Sequence, residues 1–299
     1  MYDDFECVNL RWPLAFAVIS RRGYQDVSLA YHLCKTAELA LCLFNNDFVD
    51  LDVLSRRAGV EKGTLIKVLA LSAGLHDIGK ASRHYMKSIY CEQEDFCKLT
   101  FPYHEFLSAL ILYASSWPRL STVDREVECI FRTSAKVVSR HHSSMTARHP
   151  SDYANRRLIE GVAKAARALN GSDVRKVLEQ LKHTCGMQVV SDELNTIRSM
   201  IENVISYFKS TSESNLENNI KSMIRAIAML NLNPGDACDG MNELVVVRTI
   251  TGFLIVADNI VANRERRNVE DSPIPAYIES WNRELNHRLE NCKTVLESL

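Results

Sequence analysis

At 299 residues, 46% of them hydrophobic and 24% charged, the chain can bury a large core and has an ordinary globular make-up. Its formal net charge of −1 excludes an overall field that draws in nucleic acid, so any attraction to phosphate has to be local. Nine cysteines without a CxxC pair argue against a cysteine zinc site, and the best apolar run, Thr249 to Ala257, is too short to span a membrane.

In chain order, almost every element reads as helix. The apolar spacing of Leu29, Leu33, Ala37, Ala40, Leu41 and Phe44 predicts a helix from Leu29 to Phe44 that carries His32. A second, from Val60 to Leu75, has Leu65, Val68, Leu69 and Ser72 on one side. It delivers His76-Asp77 at its end, where Gly79 is expected to turn the chain sharply. Glu105 to Ala114 follows, with His104 at its start and Pro102 just upstream. Val127 to Arg140 ends at the pair His141-His142. A polar loop rich in Ser, Thr and Arg then runs from Ser143 to Arg156.

Further helices are expected at Leu158–Leu169, Ser172–Leu181, Ser191–Phe208 and Leu216–Leu230, before a strong break at Asn233-Pro234-Gly235-Asp236. A long helix from about Asn242 to Arg267 carries Asp258. The run Val245-Val246-Val247 is the clearest strand signal. It is kept in this helix because Leu244 and Arg248 offer no turn chemistry, although a short strand there is the alternative. A last amphipathic helix covers Ala276 to Leu296. The odd cysteine count, the absence of a secretory signal and the acidic start (Asp3, Asp4, Glu6) favour a reducing, cytoplasmic setting. Cys34, Cys42 and Cys129 fall in apolar helical patterns and read as small buried hydrophobes.

The chemistry concentrates in Gly74-Leu75-His76-Asp77-Ile78-Gly79-Lys80. These residues also fit G-x-x-x-x-G-K, but a phosphate-binding loop needs Ser or Thr next and a strand before it. Here Ala81 follows and a helix precedes. Adjacent imidazole and carboxylate are ligands for first-row metals. Each further candidate has a plain structural reading too. A histidine on a helix, such as His32 or His104, is commonly a packed core residue. Adjacent imidazoles at His141-His142 repel when protonated and suit a metal that keeps them neutral. Asp258 lies amid Phe253, Leu254, Ile255, Val256, Ile260 and Val261, where a carboxylate is costly unless metal-bound or paired, for instance with Arg248. His84, His149, His183 and His287 fall outside the pattern. Arg132, Lys136, Arg140, Arg148, Arg156 and Arg157 stand against Asp152 alone around the histidine pair. They give either a positive patch beside the site or a solvated loop.

Taken together, His32, His76-Asp77 with Gly79-Lys80, His104-Glu105-x-x-Ser108-Ala109, His141-His142 and Ala257-Asp258 resemble the HD superfamily of metal-dependent phosphohydrolases. More narrowly, they resemble the HD nuclease of type I CRISPR systems, which accompanies the Cas-three helicase. The resemblance covers His32 to Asp258. It implies an all-α HD bundle forming one domain, with a core at about 25–270 and added helices at about 158–230. It also implies two divalent transition-metal ions, Mn, Fe, Co or Ni, with Mg possible. His32, His76, Asp77 and Asp258 would hold the first. Asp77 would bridge to the second, completed by His104, His141 and His142. Two metals about 3.5–4 Å apart generate a nucleophile from water and clamp both oxygens of an in-line displacement. Lys80 would be a cation for the scissile phosphate or leaving oxygen. The CRISPR group often carries Ser-Arg after the Ala-Asp. Asn263-Arg264 stands there in this chain and, with Arg148, is the expected substrate contact.

The implied function is hydrolysis of DNA, preferably single-stranded, as the degradation subunit of CRISPR interference. With no helicase motifs present, a separate helicase subunit and a guide-RNA surveillance complex would be its partners, without a membrane. The alternatives are a phosphohydrolase of small nucleotides (a nucleotidase or cyclic-nucleotide phosphodiesterase) and a non-catalytic HD adaptor.

Overall fold

Every residue from Val68 to Leu75 is buried, so the helix that ends at His76 runs through the middle of the protein rather than along its surface. A helix apolar on all sides must be enclosed by others, and the rest of the chain supplies them. In the computed structural model the described residues are 12–20, 23–45, 50–93, 96–117, 123–142, 155–185, 187–228, 238, 240–266 and 290–298. The helices that build the bundle are α1 (Leu29–Asn45), α2 (Leu51–Ala58), α3 (Lys62–Leu75), α4 (His104–Ala114) and α5 (Arg125–Val138). They continue with α6 (Arg156–Arg167), α7 (Gly171–Thr184), α8 (Ser191–Ser210), α9 (Glu213–Ala228), α10 (Glu243–Arg266) and the short α11 (Lys293–Glu297). Central α3 packs against α1, α5 and α10, α1 also packs on α10, and α4 packs on α5. The fold is therefore the expected HD-type helical bundle with additional helices.

One continuous cluster of buried apolar side chains extends from Ala15 to Cys292 and takes in residues of α6 to α9. Leu33, Leu39, Leu65, Leu69 and Leu71 are fully buried in it. Each such side chain contributes about 1.5–3 kcal/mol over leaving it in water. The bundle can therefore tolerate the polar cluster described below. Helix α10 is apolar and long enough, by length and composition alone, to cross a membrane. Its Val246, Val247, Ile250, Leu254, Ala257 and Val261 are buried in the core, which explains that composition without a bilayer. The valine run lies within this helix, as the sequence reading holds.

Two features depart from the expectation. A four-stranded antiparallel sheet of order β2-β1-β4-β3 is present, built from β1 (Leu14–Ser20), β2 (Gly23–Ser28), β3 (Ile89–Gln93) and β4 (Phe96–Leu99). It packs its own small core of Leu14, Ala17, Cys97 and Leu99 and touches the site at two points described below. The cysteines also differ from the reading as isolated hydrophobes. Cys34 pairs with Cys185, Cys42 with Cys292, Cys91 with Cys97 and Cys129 with Cys238. The expected last helix, 276–296, falls mostly outside the described residues. Its end is a 3-10 turn, Glu290–Cys292, followed by α11. The Asn233-Pro234-Gly235-Asp236 break, Arg148, His149 and His287 also lie outside the described residues.

Candidate metal centre

His76 caps the buried C-terminal end of α3, and Asp77 follows in the bridge region of backbone space at φ −109°, ψ 7°, where many active-site residues sit. The chain then enters a 3-10 turn, Ile78–Ala81. Gly79 does not have the left-handed backbone that a sharp glycine turn uses; among the described glycines only Gly59 and Gly240 do. Its missing side chain serves close packing instead. A Cβ there would collide with the His104 carbonyl oxygen and lie 2.9 Å from Ser108 N. Gly79 N donates to Ser108 Oγ at 2.8 Å, and Ser108 Oγ donates to His104 O at 2.9 Å. Ser108, part of the sequence motif, thus joins the His-Asp turn to the helix that begins at His104. Immediately before that helix Tyr103 takes φ 64°, a strained value for a residue with a side chain.

Asp77 presents its two oxygens in two directions. Oδ2 lies 3.4 Å from His32 Nε2 and 3.6 Å from His76 Nε2. Oδ1 lies 2.8 Å from His104 Nε2 and 3.4 Å from His141 Nε2. Asp258 Oδ1 closes the first side, at 3.2 Å from His32 Nε2 and 3.4 Å from His76 Nε2. His142 Nε2 closes the second, 3.0 Å from His104 Nε2. All seven residues marked as ligands by the sequence converge. Asp77, His104, His141 and His142 form one group whose donor atoms lie within 4.8 Å of one another; His32, His76 and Asp77 form another, and His76, His141 and Asp258 a third.

The donor set fits divalent transition metals. His76 and His141 donate Nδ1–H to the carbonyls of Ala73 and Val138, at 2.9 and 2.6 Å, and His104 makes the same bond to Phe101. Each therefore turns Nε2 inward. The atoms Nε2 of His32, His76 and His141, together with Asp77 Oδ1, are buried without a hydrogen-bond partner. Buried polar atoms left unmatched in this way cost stability unless a ligand completes them. Electrostatics agree at three of the histidines. Burial holds His76 and His104 below the usual histidine value, and burial together with the neighbouring His141 and His104 does the same to His142. Neutral imidazole is the form that binds metal. Burial opposes ionisation of Asp77, but Lys80 and the surrounding histidines hold it well below the usual carboxylate range. Asp258 is held low against burial by His32 and His76.

Lys80 is buried, its Nζ 2.6 Å from Asp77 Oδ2, 3.3 Å from the β1 carbonyl of Ala15 and 5.1 Å from the centre of the Phe101 ring. The sheet, unforeseen in the sequence, thus holds this cation against the site. The expected basic patch is largely spent within the fold. Lys136 is buried in an ion pair with Glu243, Arg132 pairs with Glu128, and Arg140 donates to the carbonyls of Lys136 and Ile227. Arg156 and Arg157 remain on the surface, Arg156 paired with Glu160. Asn263 and Arg264 are half-buried near the end of α10 and outside the ligand groups. His84 and His183 are exposed.

One site residue escaped the sequence reading. Glu265 Oε2 lies 2.9 Å from His32 Nδ1, with both side chains buried. Burial opposes a proton on His32, but Glu265, Asp258 and Asp77 raise its pKa well above the ordinary value. The only signal was spacing. Glu265 follows Asp258 by seven residues, about two helical turns, and so shares its face.

A helical bundle enclosing a His-Asp doublet, four further histidines and a late aspartate defines an HD-type metal-dependent hydrolase centre. The family model described as "Cas3, HD domain" matches residues 20–266, most of the chain. The protein belongs to that family, the HD nuclease domain of type I CRISPR Cas3. Neither a curated protein nor a solved structure matches the chain.

Proposed function

We propose that this domain hydrolyses DNA, preferably single-stranded, through a two-metal centre, as the degradation subunit of a CRISPR interference system. The observation that carries this reading is the split of Asp77. One oxygen faces His32 and His76, and the other faces His104 and His141. A carboxylate so placed suits bridging two ions. His32, His76, Asp77 and Asp258 would hold one; Asp77, His104, His141 and His142 would hold the other. Imidazole-rich donors favour Mn, Fe, Co or Ni, with Mg admissible. When bound, such a pair supplies a nucleophile from water and charge stabilisation at the phosphate.

The residues of the chain do the rest. The carbonyl bonds at His76, His104 and His141 fix which nitrogen each ring offers. Lys80, held by Asp77 and Ala15 O, would place its ammonium against a phosphate oxygen or the leaving oxygen. Asn263, Arg264, the exposed Arg156 and Arg157, and Arg148 would steady the strand. The chain would act as one HD domain, and a separate helicase subunit would deliver single strands on targets chosen by a guide-RNA complex.

A single assay tests this. Purified protein is given Mn²⁺, Co²⁺, Ni²⁺ or Mg²⁺ and offered labelled single-stranded DNA, duplex DNA, RNA and a nucleotide panel. Single-stranded DNA should be cut fastest, and mononucleotides should compete poorly. Rapid hydrolysis of free nucleotides, with single-stranded DNA intact under every metal, would replace the nuclease with a nucleotidase.

A further inference from the structure

We infer that Glu265 is the positioning residue of the first metal site: its carboxylate takes the Nδ1–H of His32 and so commits Nε2 of that ring to the metal. The inference rests on the metal-centre reading above and adds to it a residue outside the ligand set.

His32 differs from its neighbours. His76, His104 and His141 each donate Nδ1–H to a backbone carbonyl three residues earlier, so their orientation is a property of their own helix turn. For His32 the partner on Nδ1 is a carboxylate contributed by a residue 233 positions away. Without it the ring could carry its proton on either nitrogen, and Nε2–H cannot bind a metal. With it Nδ1 keeps its proton, and Nε2, which faces Asp77 and Asp258, is the nitrogen the neutral ring offers to a metal.

The position of Glu265 is built. Asp258 and Glu265 lie two turns apart on α10, so one helix supplies a ligand and the group that orients another ligand. Gln25 Nε2 of β2 donates to the backbone carbonyl of Glu265 at 3.1 Å, fixing the helix end against the sheet. The side chain is only 5% exposed, and its Oε1 is buried without a hydrogen-bond partner. A carboxylate is costly in that setting, and orientation of a metal ligand is a reason to keep it there. Carboxylate–histidine–metal relays are a recurrent way of fixing ring orientation and raising ligand basicity.

The test is metal binding, read without turnover. Mn²⁺ titrations of wild type, Glu265→Ala and Glu265→Gln are followed by calorimetry, with circular dichroism as a check on folding. Glu265→Ala should weaken one of the two binding events by about 10–100-fold and leave the other unchanged. Glu265→Gln, whose amide oxygen can still accept the Nδ1–H, should recover most of that loss. Nitrogen-15 spectra of the Zn²⁺-loaded wild-type protein should show His32 protonated at Nδ1. This measurement needs no variant and stands even if Glu265→Ala does not fold. Unchanged Mn²⁺ affinity in a folded Glu265→Ala protein, or a His32 ring protonated at Nε2, would overturn the positioning role alone. A wild-type protein that takes up no metal would overturn the metal centre and this inference with it.

Discussion

Lys80 and Asp77 lie side by side, yet their substitutions should separate cleanly. Asp77→Asn removes the charge shared by both halves of the site and should abolish both metal uptake and cleavage while helical circular dichroism persists. Lys80→Ala should keep metal content near wild type and slow DNA cleavage by about 10²–10³-fold, the usual cost of one lost oxyanion donor. It should also destabilise the metal-free protein by about 3–5 kcal/mol, because Asp77 is left buried without its cation. Metal should restore most of that stability by supplying the missing positive charge. Metal content, cleavage rate and thermal unfolding with and without Mn²⁺ check all three; loss of metal from Lys80→Ala would make the lysine structural. At this scale the sequence was most legible. Adjacent His76-Asp77 and His141-His142 advertise metal chemistry because few core structures need them. Glu265 was not legible, since a lone glutamate near a helix end looks like any solvated one.

The same reasoning one level up explains which elements were readable. Helices α1, α3, α5 and α10 carry long apolar periodicities, and their extents were expected to within a few residues. Helix α2 was missed although its signals were present: Asp50 caps it through bonds to Asp52 N and Val53 N, and Gly59 ends it at φ 68°. The sheet left little trace. Leu14 to Val18 is buried throughout, so β1 shows no alternation, while β3 and β4 are only five and four residues long. At the His-Asp turn the glycine is visible in the sequence but its reason is not, because a close approach between α4 and a 3-10 turn is a tertiary fact. Gly79→Ala tests it. The added methyl has to displace His104 O or Ser108, both backbone-anchored, so overpacking should cost about 1–3 kcal/mol. It should also weaken Mn²⁺ binding at the His104 half of the site more than at the His32 half. An alanine variant with wild-type unfolding and both affinities intact would show that the turn has room to spare.

At the scale of the whole molecule, composition misled in one respect and guided in another. An odd number of cysteines in apolar patterns was read as unpaired, but pairing depends on which helices meet. Cys34 and Cys185, 151 residues apart, are brought together only by the packing of α1 on α7. Burial of the polar cluster, by contrast, follows from its sequence surroundings and sets a pH dependence for the whole fold. His76, His104 and His142 are held below the ordinary histidine value in the folded, metal-free protein. Below about pH 6.5 the unfolded chain gains protons that these folded residues refuse, so stability falls, by up to about 1.4 kcal/mol per pH unit for each. His32, raised by its carboxylates, acts in the opposite sense. Its contribution is fully present below about pH 6.5 and is lost as pH rises through its folded value, so it adds no slope on the acid side. Asp77 and Asp258, held low, contribute stability above about pH 3.9 that is lost only in stronger acid. The metal-free protein should therefore be most stable near neutrality and lose stability steeply between about pH 6.5 and about pH 5. Urea unfolding of protein stripped with EDTA, repeated across that range, measures it. The His142→Ala variant should show a shallower slope, and a wild-type stability unchanged from about pH 7 to about pH 5 would mean that these imidazoles are not held neutral inside the fold.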